Sequence, residues 1–306
     1  YGNASTSTGE VDIDTLVRDF GFTGTTGGTD SVINIAEAAQ GLVMTGTTEP
    51  GSTVIVSMNG ASHNATVAAD GTWTVSFSSS EIPSGTTVTT MTAVATDAAG
   101  NVDTINRDVV IDRDAGVLTI SPQPVEGDDV VNAAEASDDV VLTGTSNPGA
   151  SVLVTMAGVS HTVTANGAGD WQANFSSAEV APGVYTAQIT ATTTDSAGNT
   201  LNASDSVQVD TRVDNLSVSA DTVEGDGVIN GFERMSDGSV QVSGTTEVGS
   251  TSVVVTLNGV AVNALIGPRG DWIATYASNQ IAEGTYDAPI TVTARDRAGN
   301  TATIRD

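Results

Sequence analysis

Trp171-Gln172-Ala173-Asn174-Phe175 alternates large or small apolar residues with polar amides. A period of two places Trp171, Ala173 and Phe175 on one face of an extended chain, the pattern of a strand half buried in a sheet. The same pattern recurs as Trp73 with Phe77, 98 residues earlier, and as Trp272 with Tyr276, 101 residues later. These aromatics read as core. Asp30, Asn34 and Glu37 keep the period, recurring as Asp128, Asn132 and Glu135 and again as Asp226, Asn230 and Glu233. So do Asp97, Asp195 and Asp296, each of which opens an Asp-x-Ala-Gly-Asn run. A repeat near 100 residues is too long for a solenoid unit and large enough to bury its own core, so the chain reads as an array of separate domains.

Around the tryptophan strand lie further short runs rich in β-branched residues, such as Ser151-Val152-Leu153-Val154-Thr155-Met156, bounded by Gly, Asn, Asp and Pro. They predict strands near 115–121, 139–145, 151–157, 159–165, 170–175, 184–194 and 200–210 of the second copy. Seven antiparallel strands in this length imply an all-β, two-sheet sandwich of immunoglobulin-like type. Three such sandwiches are expected in tandem as an extended rod, over 13–112, 113–211 and 212–306. Tyr185 and Tyr286 each stand two residues after a glycine at the start of the sixth strand, where a tyrosine hydroxyl can pin the adjacent corner. The first copy has Thr87 there and is expected to lack that brace.

Composition narrows the function. The 306 residues carry 37 acids against 9 basic residues, a net charge of −28, and every basic residue is arginine. The basic footprint that displaces counterions from nucleic acid is missing, as is a polybasic stretch for an anionic membrane. No apolar run approaches a membrane span, so no direct membrane insertion is expected. With no cysteine, no lysine and two histidines, the usual inventory of acids, bases and nucleophiles is nearly empty, so no enzyme activity is expected. His63 and His161 occupy equivalent places on the fourth strand and read as ordinary strand residues.

Four runs together carry a family resemblance: Glu-Gly-Asp-Asp-Val-Val-Asn-Ala-Ala-Glu (126–135), Leu-Thr-Gly-Thr (142–145), Gly-Asp-Trp (169–171) and Thr-Asp-Ser-Ala-Gly-Asn (194–199). They resemble the tandem bacterial immunoglobulin-like repeats of giant type I secreted, RTX-type adhesins. That resemblance implies an extracellular spacer on the bacterial cell surface, serving adhesion and biofilm formation, with Ca2+ stiffening the joints between neighbouring repeats. Sandwich topology shows which acids could serve. The sixth-to-seventh-strand loop lies at the end where the chain enters a repeat, and the first-to-second-strand loop lies at the end where it leaves. Asp195 is therefore expected beside Asp112 and Asp114, with Asp30, Asn34 and Glu37 approaching from the preceding copy. The second joint draws on Asp210, Asp214 and Asp296 with Asp128, Asn132 and Glu135. Asp12, Asp14 and Asp97 form the upper cluster of the first copy, and Asp226, Asn230 and Glu233 half a site below the third.

The alternative for each single Asp is a turn residue that caps backbone amides, and other acids such as Asp287 and Glu247 read as surface solvation. Residues 1–12 read as the last strand of a preceding repeat, and the seventh strand of the third copy reads as cut short after Asn300. Those two ends leave open a filament subunit that self-associates by strand addition. Carbohydrate binding is a third reading, for which exposed loop aromatics are wanting.

Overall fold

In the computed structural model the described residues are 4–28, 30–219, 223, 227–236 and 238–306. The contacts group them into two compact units, Tyr1–Val117 with Thr193–Leu201 and Leu118–Thr192 with Asn202–Asp306. The loop between the sixth and seventh strands of the second repeat thus belongs with the first repeat.

In the first unit one sheet orders the strands Gly21–Phe22, Leu42–Thr47, Thr72–Phe77 and Thr66–Val67. The facing sheet orders Val32–Ile33, Val102–Asp112, Thr86–Thr96, Thr53–Met58 and Ala61–Asn64. Burial alternates along Thr72–Phe77 and Thr53–Met58, so one side of each strand faces a single core of Met44, Val54, Val56, Met58, Trp73, Phe77, Met91 and Ile111. Gly46 belongs to this core by having no side chain. The Trp73 indole lies against it, and a Cβ there would overlap both that ring and the Gly21 carbonyl. Trp73 Nε1 donates to the Thr47 carbonyl at 3.0 Å, which satisfies its polar edge while the ring stays dry.

In the second unit Leu118–Ile120, Val140–Ser146 and Asp170–Phe175 make one sheet of the second repeat. Val130–Val131, Thr200–Asp210, Val184–Thr194, Ser151–Met156 and Val159–Thr164 make the other. The third repeat pairs Ser217–Val218, Ser239–Thr245, Asp271–Ala277 and Leu265–Ile266, against Val260–Asn263, Ser252–Leu257, Ile290–Arg295 and Thr301–Arg305. Each repeat has its own core, centred on Trp171 with Phe175 and on Trp272 with Tyr276. Gly144 and Gly244 lie under their tryptophans as Gly46 does. The alternation in 171–175 thus marks the inward face, as the sequence predicts.

The strand readings 170–175, 184–194 and 200–210 coincide with the observed strands, and the others shift at their ends. Three features differ in kind. The first strand is split: Leu118–Ile120 pairs antiparallel with 144–146, and Val130–Val131 crosses to the other sheet and runs parallel to 208–209. Directly after each crossing comes a short helix, Ile35–Gln40 or Ala133–Ala136, where the sequence reads as a loop. Residues 4–12 form no strand among the described residues, because no described strand pairs with them; Thr301–Arg305 has five residues where Thr200–Asp210 has eleven.

The corner that lacks its tyrosine is braced another way. Tyr185 donates from its hydroxyl to Ala181 O at 2.9 Å, and Tyr286 to Ala282 O at 2.8 Å. In the first repeat Arg113 Nη1 donates to Ile82 O at 2.9 Å and Pro83 O at 3.3 Å, and Pro83 is the counterpart of Ala181. A guanidinium therefore supplies the bond that Thr87 cannot reach.

Candidate metal centre

In the first and third repeats an incoming Asp is brought against two loops. In the first, carboxylate oxygens of Asp14, Glu49 and Asp97 all lie within 4.8 Å of one another; in the third, those of Asp210, Glu247 and Asp296 do the same. Local bonding holds each acid in place. Asp97 accepts from Asn101 N and Nδ2, both at 2.8 Å, and Asp296 from Asn300 N at 2.8 Å and Nδ2 at 2.7 Å. Glu49 accepts from Arg18 N at 3.3 Å, and Glu247 from Asp214 N at 3.0 Å, at the equivalent point of the chain. Three carboxylates so close together offer the hard oxygen ligands that calcium and magnesium take.

The electrostatics of the third repeat favour a cation. Burial pushes the Asp210 carboxyl above its usual range despite the Arg212 amide, and the charges of Asp296 and Asp214 push the same way. Glu247 is raised by burial first and then by Asp210, Asp296 and Asp214. The nearby guanidinium of Arg212 pairs with Asp214 at 2.7 Å, outside the three-carboxylate set. Asp97 differs: burial pushes it up, but hydrogen bonds from Asn101, Ala99 and Gly100 outweigh that and hold it low.

At the other end of each repeat the recurring Asp, Asn and Glu have local work. Asn34 Oδ1 accepts from Glu37 N at 2.9 Å while Glu37 Oε2 accepts from Asn34 N at 3.1 Å, a reciprocal cap on the helix that follows. Asn132 with Glu135 and Asn230 with Glu233 bond in the same way. Asp30 and Asp128 each accept from the amide two residues on, at 3.0 Å. The Asn-x-x-Glu spacing is itself the sequence signal for such a cap.

The structure therefore unites Asp14 with Asp97, and Asp210 with Asp296. Asp12 is exposed and outside the cluster; Asp114 accepts from Gly116 N, and Asp214 lies beside its cluster through Glu247. Asp226 lies outside the described residues. In the first joint Asp195 accepts from Ala197 N and from Asn199 N and Nδ2, while Asp112 Oδ1 accepts from Thr86 Oγ1 at 2.8 Å. Glu49 and Glu247 were missed by the sequence reading, and Glu247 is a member of a cluster rather than a solvating surface acid. Thr-Thr-Glu recurs at 47–49 and 245–247, where the second copy has Asn147, but the recurrence alone does not distinguish these acids from solvating ones.

Asn34 Nδ2 also reaches out of its own repeat, donating to Ala197 O at 2.9 Å, and Asn199 Oδ1 accepts from Ile35 N at 2.8 Å. Residues 30–111, which span this cap and its sandwich, match the family model of the bacterial Ig domain. The first repeat is a bacterial Ig domain. The second and third copies repeat its tryptophan, its glycine under the tryptophan and its Asp-x-Ala-Gly-Asn loop. Among solved structures the chain is similar to a 1.5-MDa bacterial ice-binding adhesin studied for host cell surface retention, with 28% identity over 96% of this chain and 97% of that one, TM-score 0.41. It is similar also to a Ca2+-stabilized adhesin with which an Antarctic bacterium binds ice, at 28% identity over 97% and 73%, TM-score 0.41. A tetra-tandem repeat from the extending region of a large adhesion protein is 25% identical over 90% and 72%, TM-score 0.31. No curated protein matches the chain. Among the described residues no helix is long and apolar enough to cross a membrane.

Proposed function

We propose that these bacterial Ig repeats form a calcium-stiffened spacer of a cell-surface adhesin, holding a distal ligand-binding domain away from the cell. The observation that carries this reading is the pair of three-carboxylate clusters, each joining an acid of the incoming chain to two loops of the repeat it enters. A divalent ion there ties linker to sandwich and cancels the repulsion that otherwise splays them. Asp112 and Asp195 supply the corresponding acids of the first joint, and the recurring Asn and Glu caps shape the end of the repeat that the linker leaves. A structural role, with the extracellular setting that millimolar calcium requires, also accounts for the acidic surface.

Calorimetric titration of the whole chain with calcium tests the proposal. Binding is expected in the wild type, with weaker or fewer sites after Asp296→Ala and after Asp97→Ala, and no change after Asp287→Ala. Absence of calcium binding, or binding indifferent to Asp97 and Asp296, would sink it.

A further inference from the structure

The Asp-x-Ala-Gly-Asn loop occurs three times, and its last residue does not behave alike in all three. Asn101, Asn199 and Asn300 each close their own loop, donating from N and Nδ2 to the carboxylate of Asp97, Asp195 or Asp296. Asn199 and Asn300 go further. Asn199 Nδ2 donates to Asp112 O at 3.0 Å, and its Oδ1 accepts from Ile35 N at 2.8 Å. Asn300 Nδ2 donates to Asp210 O at 2.8 Å, and its Oδ1 accepts from Ala133 N at 2.7 Å. The two residues are only 4% and 5% exposed. Asn101 is half-buried; its loop is closed in the same way and its Nδ2 reaches Asp14 Oδ1 of the incoming chain at 3.3 Å, but among the described residues its Oδ1 receives no donor. The loop thus keeps its form without the bond accepted by Oδ1, and that bond is what a joint between repeats adds.

We propose that Asn199 and Asn300 are positioning residues that lock the two inter-repeat joints, and that this lock operates without calcium. Each amide is fully used: the carbonyl oxygen accepts from the preceding repeat, and the amino group bridges the linker carbonyl and its own loop. A buried amide with every bond satisfied specifies one orientation, because rotating the joint leaves polar groups unpaired in a site water cannot reach. The bonds that both joints share go to backbone atoms, Ile35 N and Asp112 O in one, Ala133 N and Asp210 O in the other, so the lock tolerates different side chains on the preceding repeat; Asn300 Nδ2 adds a longer contact to Asp210 Oδ1 at 3.3 Å. The inference stands apart from the calcium reading: chelation removes the ion and leaves these bonds.

Residue-resolved amide exchange by NMR on the whole chain in chelator tests it. The Ile35 and Ala133 amides are expected to be protected in the wild type without calcium. Asn199→Ala should lower protection at Ile35 by about ten-fold or more while sparing Ala133, and Asn300→Ala should do the converse. Asn101→Ala should change neither. If Asn199→Ala unfolds the second repeat, Asn300→Ala still decides, since Ala133 lies in a repeat other than the substituted one. Protection at Ile35 and Ala133 that disappears on chelation of the wild type, or that survives loss of the asparagine, overturns the proposal.

Discussion

Replacing Glu247 by Gln should have opposite effects with and without calcium. Its carboxylate stands within 4.8 Å of those of Asp210 and Asp296. Two unit charges at that separation repel by about 3–4 kcal/mol at an effective dielectric near 20, and solvent access to this partly exposed site reduces each pair to about 1 kcal/mol. Glutamine keeps an oxygen for the Asp214 amide and removes two of the three repulsions. In chelator the third repeat should therefore gain about 1–2 kcal/mol, a rise of roughly 5–10 °C in its calorimetric transition. In saturating calcium the substitution removes one of three anionic ligands, so the same transition should fall relative to wild type, with affinity lower by about ten-fold. pH supplies a second axis. Asp210 and Glu247 are both raised in the folded state, so their unfavourable contribution is absent below the unfolded carboxylate range near 4 and grows as pH rises through their folded values. In chelator the wild-type third repeat should gain stability from these groups as pH falls through their folded values toward the unfolded range near 4, and the Gln variant should gain less. Scanning calorimetry in the two media decides: a shift of the same sign with and without calcium refutes the reasoning.

Trp171→Ala empties the centre of the second core, where the ring is 2% exposed, and should cost about 3–5 kcal/mol; fluorescence from Trp73 and Trp272 should show the other repeats still folded, and a folded variant that has lost only a glycan ligand would contradict the core role. Gly144→Ala forces a methyl group against the Trp171 ring and the Thr119 carbonyl and should cost about 1–3 kcal/mol by chemical denaturation, whereas Gly167→Ala, with open space around it, should be neutral; equal effects at the two sites would discount the close approach. Arg113→Ala should lower the first repeat's stability by about 1–2 kcal/mol, since it removes the bonds to Ile82 O and Pro83 O, and an unchanged transition would show that the corner needs no brace.

The sequence by itself determined the class of fold, because a half-buried strand imposes a period of two and the tryptophan strand obeys it three times. It determined the long hairpin of the second repeat to the residue, since Val184–Thr194 and Thr200–Asp210 are bounded by glycine and by the Asp-Ser-Ala-Gly-Asn turn. It also marked Asp97 and Asp296 as residues that linker acids approach, for loops alternate between the ends of a sandwich. Tertiary structure decided the rest. Glu49 and Glu247 join the clusters through a loop remote in sequence from both partners, and no local pattern separates them from solvating acids. The split first strand depends on Val130 and Val131 finding the parallel edge of 208–209, a pairing that two residues cannot encode alone. Asn199 and Asn101 carry the same local motif, yet only Asn199 bonds to an amide 164 residues away. Periodicity reports the face a side chain presents to its own sheet, whereas a joint depends on which backbone groups of another repeat arrive within hydrogen-bonding distance, and that is known only once the chain has folded.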